Sequence, residues 1–273
     1  MDKTVDRLLE NALKEEVPNG DITSELLLFH STAEITIHAN SNGIVSGTQF
    51  IKRLYEIINP EIVLKVINDH GVWVDSGTII MIIHGPACDV LKGLGIAKNF
   101  LKRLSGIATL THHYVNLLKH TDTLLLDNRL TTPNFRVFEK AAVIDGGGIN
   151  HRFTLSDYCV ITKDHLKEYS TIEAAVSHVL KHLSTDVKVE VVVETIEDYI
   201  AASKTACDII RIHNMSAQMV EKCLDYAHDK LLIATHENTD TLINDIGHSG
   251  IKFIMIPEIT EDYTLFNITV QIQ

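Results

Sequence analysis

Apolar residues recur along this chain with two different periods, and the change from one to the other divides it. The opening run MDKTVDRLLENALKEEV alternates charge with leucine as an amphipathic helix does, and it lacks the apolar stretch of a leader peptide. Between Ala33 and Pro86 the pattern predicts strands at Glu34–Ala39, Gly43–Gly47, Glu61–Ile67 and Thr78–His84, with one helix at Gln49–Ile58. That is a sandwich-like α+β domain. A long helical stretch follows from Asp89 to His120, and then short apolar runs alternate with helical periodicity. Strands are predicted at Thr123–Leu126, Tyr158–Thr162, Val187–Val193, Ile209–Ile212, Leu231–Ala234 and Phe253–Ile256. Helices are predicted at Phe135–Asp145, Ile172–Leu183, Ile196–Lys204, Ala217–Asp229 and Thr241–His248. Near-continuous apolar strands, each followed by a helix, imply a parallel sheet covered on both faces, most economically an α/β barrel. The closing FNITVQI alternates again and is expected to return as a strand to the first domain. The expected division is 1–110 with 266–273, against 111–265.

Composition narrows the function classes. The 273 residues are 45% hydrophobic and carry a formal charge of −12, which argues against general nucleic-acid binding but not against a small anionic ligand held by local charge. No run is apolar enough to cross a bilayer, so a cytoplasmic location without membrane partners is expected. Cys88, Cys159, Cys207 and Cys223 are widely spaced with no CxxC pair, which favours reduced thiols over a disulfide or zinc framework.

Chemistry concentrates between Asp127 and Asp157, DNRLTTPNFRVFEKAAVIDGGGINHRFTLSD. Arg129, Lys140, His151 and Arg152 lie there around the triplet Gly146–Gly148, where backbone comes close and cationic donors suit a carboxylate or phosphate. The plainer reading is a glycine-rich turn with a solvated basic face. In a parallel barrel the C-terminal strand ends carry the site. Here those ends read Asp127-Asn128-Arg129, Thr162-Lys163-Asp164-His165, His213-Asn214 and Thr235-His236-Glu237-Asn238.

The runs KRLSGIAT, DNRLTTPN, EKAAV and GGGINHRFTLSD closely resemble QRLSGIAT, DTRKTTPG, EKYAV and GGGxNHRxGLxD of the quinolinate phosphoribosyltransferases, the carboxylating nicotinate-nucleotide pyrophosphorylases. EEVPNGDITSELL is similar to that family's EDxxxGDxTTxxL, and DIIRIHNMS to its DIIMLDNMS. The resemblance implies an incomplete α/β barrel of the type II phosphoribosyltransferase kind and a homodimer or higher homo-oligomer. It implies quinolinate and phosphoribosyl pyrophosphate as substrates with Mg2+, and nicotinate mononucleotide, carbon dioxide and pyrophosphate as products. It assigns Arg129, His151, Arg152 and Lys140 to the acid-binding lining, with Lys163 a neighbour to a lysine position held here by Thr162.

Other positions depart from the family pattern. Leu94-Gly95 replaces Glu-Arg, Leu130 a lysine, Asn40 a basic residue, Val192 a glutamate and His213 an aspartate. Glu237-Asn238 replaces a glycine pair, and MIPEITED replaces SVGALTHS. A rebuilt wall from Asp127, His165, Glu190, His213 and His236 would then line the mouth. Two readings follow: an active phosphoribosyltransferase, or a catalytically lapsed or repurposed paralogue whose anion pocket serves another carboxylate or a regulatory role. Two histidine groups, His178 with His182 and His151, His165, His213 with His236, are candidate metal ligands against the ordinary reading of unrelated loop and surface histidines.

Overall fold

A computed structural model describes residues 3–28, 30–226, 230–235 and 240–273. These fall into two compact units. The first runs to His112, takes in Thr132–Gly147 and ends with Tyr263–Gln273; the second holds His113–Thr131 and Gly148–Asp262.

The first unit opens with α1 (Lys3–Glu16), whose buried Val5 and Leu9 lie one turn apart, as the amphipathic pattern requires. Asp21 then caps α2 (Ile22–Leu27) by accepting the Ser24 N–H at 3.1 Å, a short helix that periodicity cannot reveal. β1 (Thr32–Ala39) buries Ala33, Ile35, Ile37 and Ala39 in strict alternation. After β2 (Gly43–Ile44), α3 (Thr48–Ile58), β3 (Val63–Val66) and β4 (Trp73–Val74) comes β5 (Ile79–Pro86). The four-stranded antiparallel sheet has the order C-terminal strand (Ile268–Ile272), β1, β5, β3. Its register sets Ile35 against Ile272 on one side and Ile83 on the other, so the tail does return to this domain. The strand expected over Gly43–Gly47 stops at Ile44, because Gly47 takes φ +94° to start α3. Its partner β4 is two residues long, too short to show a period. Phe50 of α3, Phe100 of α4 (Ala87–Leu117), and Phe135 and Phe138 at α5 (Arg136–Asp145) stack with centroids 4.8–4.9 Å apart. This cluster ties α3, α4 and α5 together.

The second unit is built on one parallel sheet. Its strands are β6 (Leu124–Leu126), β7 (Tyr158–Ile161), β8 (Lys188–Val193), β9 (Ile209–His213), β10 (Leu231–Thr235) and β11 (Phe253–Met255). Between them lie α6 (Lys163–Leu166), α7 (Ile172–His182), α8 (Ile196–Ser203), α9 (Ala217–Asp225) and α10 (Asp240–His248). The sheet order is β6-β11-β10-β9-β8-β7, leaving β6 and β7 at opposite edges, the incomplete barrel that the resemblance implies. Thr171, Thr195 and Ser216 start α7, α8 and α9 by accepting backbone N–H groups three residues on. On the interior face Leu126, Ile209, Ile233 and Met255 pack together, with Tyr158 and Phe253 against them. The end expected for the Ala217–Asp229 helix lies partly outside the described residues. No described helix is long and apolar enough to cross a membrane, and all four cysteines are free, Cys207 and Cys223 buried and the other two half-buried.

The return of the tail places the Thr264 carbonyl against α4: a Cβ at Gly106 would lie 2.4 Å from that oxygen. Backbone cannot yield as a flexible side chain does. Gly106→Ala is therefore expected to destabilise the protein by about 1–3 kcal/mol, read as a lowered melting temperature; an unchanged melt would contradict this packing.

Candidate anion-binding site

The site begins where β6 ends. Asp127 donates its backbone N–H to the Ile149 carbonyl at 3.0 Å, and Leu126 and Ile149 form a parallel bridge, so the stretch after the glycines runs beside β6 as an extra short strand. Gly147 takes φ +93°, a backbone region that strains other residues, immediately before this stretch. The fully buried Asp127 carboxylate then accepts the His151 N–H at 2.7 Å. That contact delivers the imidazole to β8, where His151 Nε2 lies 2.8 Å from Glu190 Oε2. The ring also meets Tyr158 edge-on at 5.2 Å.

Glu190 has no exposed surface and faces two partners, the His151 imidazole and the Arg211 guanidinium. Arg211 Nε stands 2.7 Å from Glu190 Oε1, an ion-pair distance, with its N–H aimed off the line a hydrogen bond needs. Burial works against the Glu190 charge, yet the His151 hydrogen bond and the charges of Arg211, His151 and Arg152 outweigh it, holding the carboxyl below its ordinary value. Arg152 Nη1 donates to the Tyr158 carbonyl at 3.1 Å. Burial, followed by the charges of Arg129 and Arg211, pushes its pKa down, with Glu190 and Asp157 opposing. Three guanidiniums therefore share one electrostatic neighbourhood, and an arriving anion relieves their mutual repulsion.

Comparison with known proteins decides the family. The model of the quinolinate phosphoribosyl transferase C-terminal domain matches residues 107–271, and that of its N-terminal domain matches residues 21–105. This chain belongs to the quinolinate phosphoribosyl transferase family. A relative from Bacillus subtilis, named as a probable carboxylating nicotinate-nucleotide pyrophosphorylase, is 33% identical over 76% of this chain and 72% of its own. The solved nicotinate-nucleotide pyrophosphorylase of Francisella tularensis is 28% identical with a TM-score of 0.92, covering 99% of this chain and 96% of that one. NadC from Streptococcus pyogenes is 27% identical with a TM-score of 0.92, covering 98% and 97%.

Of the residues singled out in the sequence, the structure assembles Asp127, His151, Arg152 and Glu190, with Arg129 close enough to act on Arg152 by charge. Lys140 is carried separately, fully buried in α5 of the first unit. Lys163 is exposed and pairs with Glu194 at 2.7 Å. His165 serves α6: its Nδ1 accepts the Thr162 N–H at 3.1 Å in a capping box. His213 is half-buried at the end of β9 opposite Thr235, and His236 with Glu237-Asn238 lies outside the described residues. His178 and His182 stack 4.6 Å apart on α7. Among the described residues no group of three or more His, Cys, Asp or Glu side chains is arranged to hold a metal ion.

Two departures from the family pattern can be described by their surroundings. At Gly95, where the family carries arginine, a Cβ would stand 2.5 Å from Glu16 Oε1, the end of a flexible side chain that would have to move. Glu16 also lines a cleft of about 440 Å³ in the first unit, with Asn99, Lys102 and Arg103. After β11, Pro257 opens a 3-10 helix, Pro257–Thr260, whose Glu258 carbonyl accepts the Glu261 and Asp262 N–H groups at 2.9 and 2.8 Å. Those donors are consumed within the turn. Arg211 itself was legible only as a charge interrupting the apolar run DIIRIH.

Replacing the buried carboxylate leaves Arg211 without its counter-charge, so Glu190→Gln is expected to lower stability near neutrality by about 3 kcal/mol. The pH dependence has a definite sign. With its folded pKa below the ordinary 4.5, Glu190 contributes fully above that value and loses its contribution as pH falls through the lower folded value. The stability gap between the native protein and Glu190→Gln should therefore narrow on acidification in denaturant titrations. A gap constant through the acid range would contradict an ionised Glu190.

Proposed function

We propose that this chain catalyses phosphoribosyl transfer to quinolinate, yielding nicotinate mononucleotide, carbon dioxide and pyrophosphate in NAD biosynthesis. The observation that carries the reading is the Arg129–Arg152–Arg211 neighbourhood organised by Glu190 and His151 at the mouth of the parallel sheet. Relatives whose names include nicotinate-nucleotide pyrophosphorylase add support. In this account guanidiniums grip the pyridine carboxylates, and His151, fixed at both its backbone and its ring, sets the orientation of the acid. The pyridine nitrogen then attacks the anomeric carbon as the bond to pyrophosphate breaks. The carboxylate beside the ring nitrogen leaves as carbon dioxide, its electron pair taking up a proton. Positioning two polyanions together and holding charge in place while the ribosyl cation develops is the larger part of the rate gain.

Mg2+ belongs in this proposal as the companion of the pyrophosphate group. Asp127 and Glu190 are already engaged, and the described residues form no protein cage for the ion, so no step is assigned to it. The working assembly is proposed to be a homodimer in the cytoplasm. The acidic 3-10 turn at Pro257–Thr260, where phosphate would otherwise be cradled, favours a second reading, a relative repurposed for another carboxylate.

The assay is conversion of quinolinate and phosphoribosyl pyrophosphate with Mg2+, followed as nicotinate mononucleotide. Arg152→Ala is expected to reduce kcat/KM by about 10–100-fold, the loss of one charge-assisted contact. Native protein that binds quinolinate but makes no product would move the assignment to the repurposed reading.

A further inference from the structure

Arg211 is the one arginine of this neighbourhood that comes from a central strand. In the ladder it stands between Val192 of β8 and Ile233 of β10, and it shares the interior face with Ile209 two residues before it. The family run quoted above has methionine there, a side chain that asks for nothing but packing. A guanidinium in the same place brings five donors. Among the described residues its one hydrogen bond is from Nη1 to the Met255 sulfur at 3.6 Å, a weak acceptor. Its Nε is held electrostatically by Glu190 rather than by an aligned hydrogen bond. The side chain is 19% exposed, so it is largely desolvated but not sealed from solvent.

A partly buried arginine whose donors are this poorly met is costly in the free protein. Glu190 explains where the charge is anchored. It does not explain the remaining donors, because the same carboxylate also receives His151. Arg152, acted on by Arg211 and Arg129, already uses one donor on the Tyr158 carbonyl. Two guanidiniums close enough to repel, each with unspent donors, match a ligand with two anionic groups better than a ligand with one.

Taking the substrate class proposed above, we propose that Arg211 is a specificity residue that grips the second carboxylate of a pyridine dicarboxylate, with Glu190 positioning its guanidinium from behind. Arg152 grips the first. The pocket then discriminates di-acid from mono-acid through a side chain on β9 rather than through the loops, and the rigid strand gives the fork its fixed aim.

The test is calorimetric binding of quinolinate and of nicotinate, which lacks the second carboxylate, to the native protein, Arg211→Met and Arg211→Lys. Arg211→Met is expected to weaken quinolinate by about tenfold or more while leaving nicotinate within about twofold, as loss of one charge-assisted contact predicts. Arg211→Lys, which keeps the charge without the fork, should fall between. Because Arg211→Met strands the Glu190 charge, the double variant Glu190→Gln/Arg211→Met is measured beside it, with melting curves on both. The di-acid loss should persist in the double variant. Equal weakening of both acids in a folded variant, or no weakening of either, would overturn the proposal and leave Arg211 as a counter-ion only. Native protein that binds neither acid would overturn it together with the function proposed above. Selective loss of quinolinate binding in protein that never forms product would keep Arg211 as the specificity residue and remove only the phosphoribosyl transfer.

Discussion

A single buried carboxylate organises the second unit. Glu190 sits in the middle of a parallel sheet with no exposed surface, where an unpaired charge would cost several kcal/mol. Its ionised form persists because His151 and Arg211 meet it from two sides. Each partner is thereby constrained. His151 is clamped between the Asp127 carboxylate at its backbone and Glu190 at its ring, which fixes the loop that also carries Arg152. Arg211 is turned into the sheet interior instead of out along the strand. Removing this carboxylate would leave the Arg211 guanidinium beside Arg152 without its counter-charge and the His151 ring without its partner, so the groups depend on one another.

The two units reach stability by different means. In the first, four phenylalanine rings and an antiparallel sheet closed by the C-terminal strand supply burial, and close backbone approaches at Gly106 and Gly146 leave no room for a side chain. The second relies on β-branched strands capped into helices by Thr171, Thr195 and Ser216. Among the described interior strands polar residues enter the sheet at Lys188, Glu190, Arg211, His213 and Thr235, and of these His213 and Thr235 stand at the C-terminal strand ends where chemistry is expected.

Much of this was legible in the residues. Period-two and period-3.6 patterns are set by burial, so the strands and helices of both units follow the sequence within a few residues, including the return of FNITVQI. The elements that escaped are those that burial does not pattern: β4 and α6 are two and four residues long, and α2 leaves Ile22, Leu26 and Leu27 exposed. At the site, the Asn-His-Arg after the glycine triplet stood out because hydrogen-bond donors follow glycines there, and the structure brings His151 and Arg152 to Glu190 and Tyr158. Arg211 did not, because a strand residue's partner is chosen by register: Glu190 pairs with Ile209 in the ladder, two positions from Arg211, and nothing local links them. His165, a histidine at a strand end, has its ring engaged in a helix cap, a role its position in the sequence does not announce. Lys140 belongs to the first unit because α5 packs its phenylalanines there.

The pocket depends on the charge state of Glu190, and carbon-13 NMR of its side-chain carboxyl measures that state most directly. With the resonance assigned by its disappearance in Glu190→Gln, the midpoint of its titration in the folded protein should lie below 4.5, the ordinary value for a glutamate. A carboxyl that takes up its proton above that pH in the folded protein would mean that burial outweighs His151 and Arg211, and that the cations of this pocket are not organised around an anion at all.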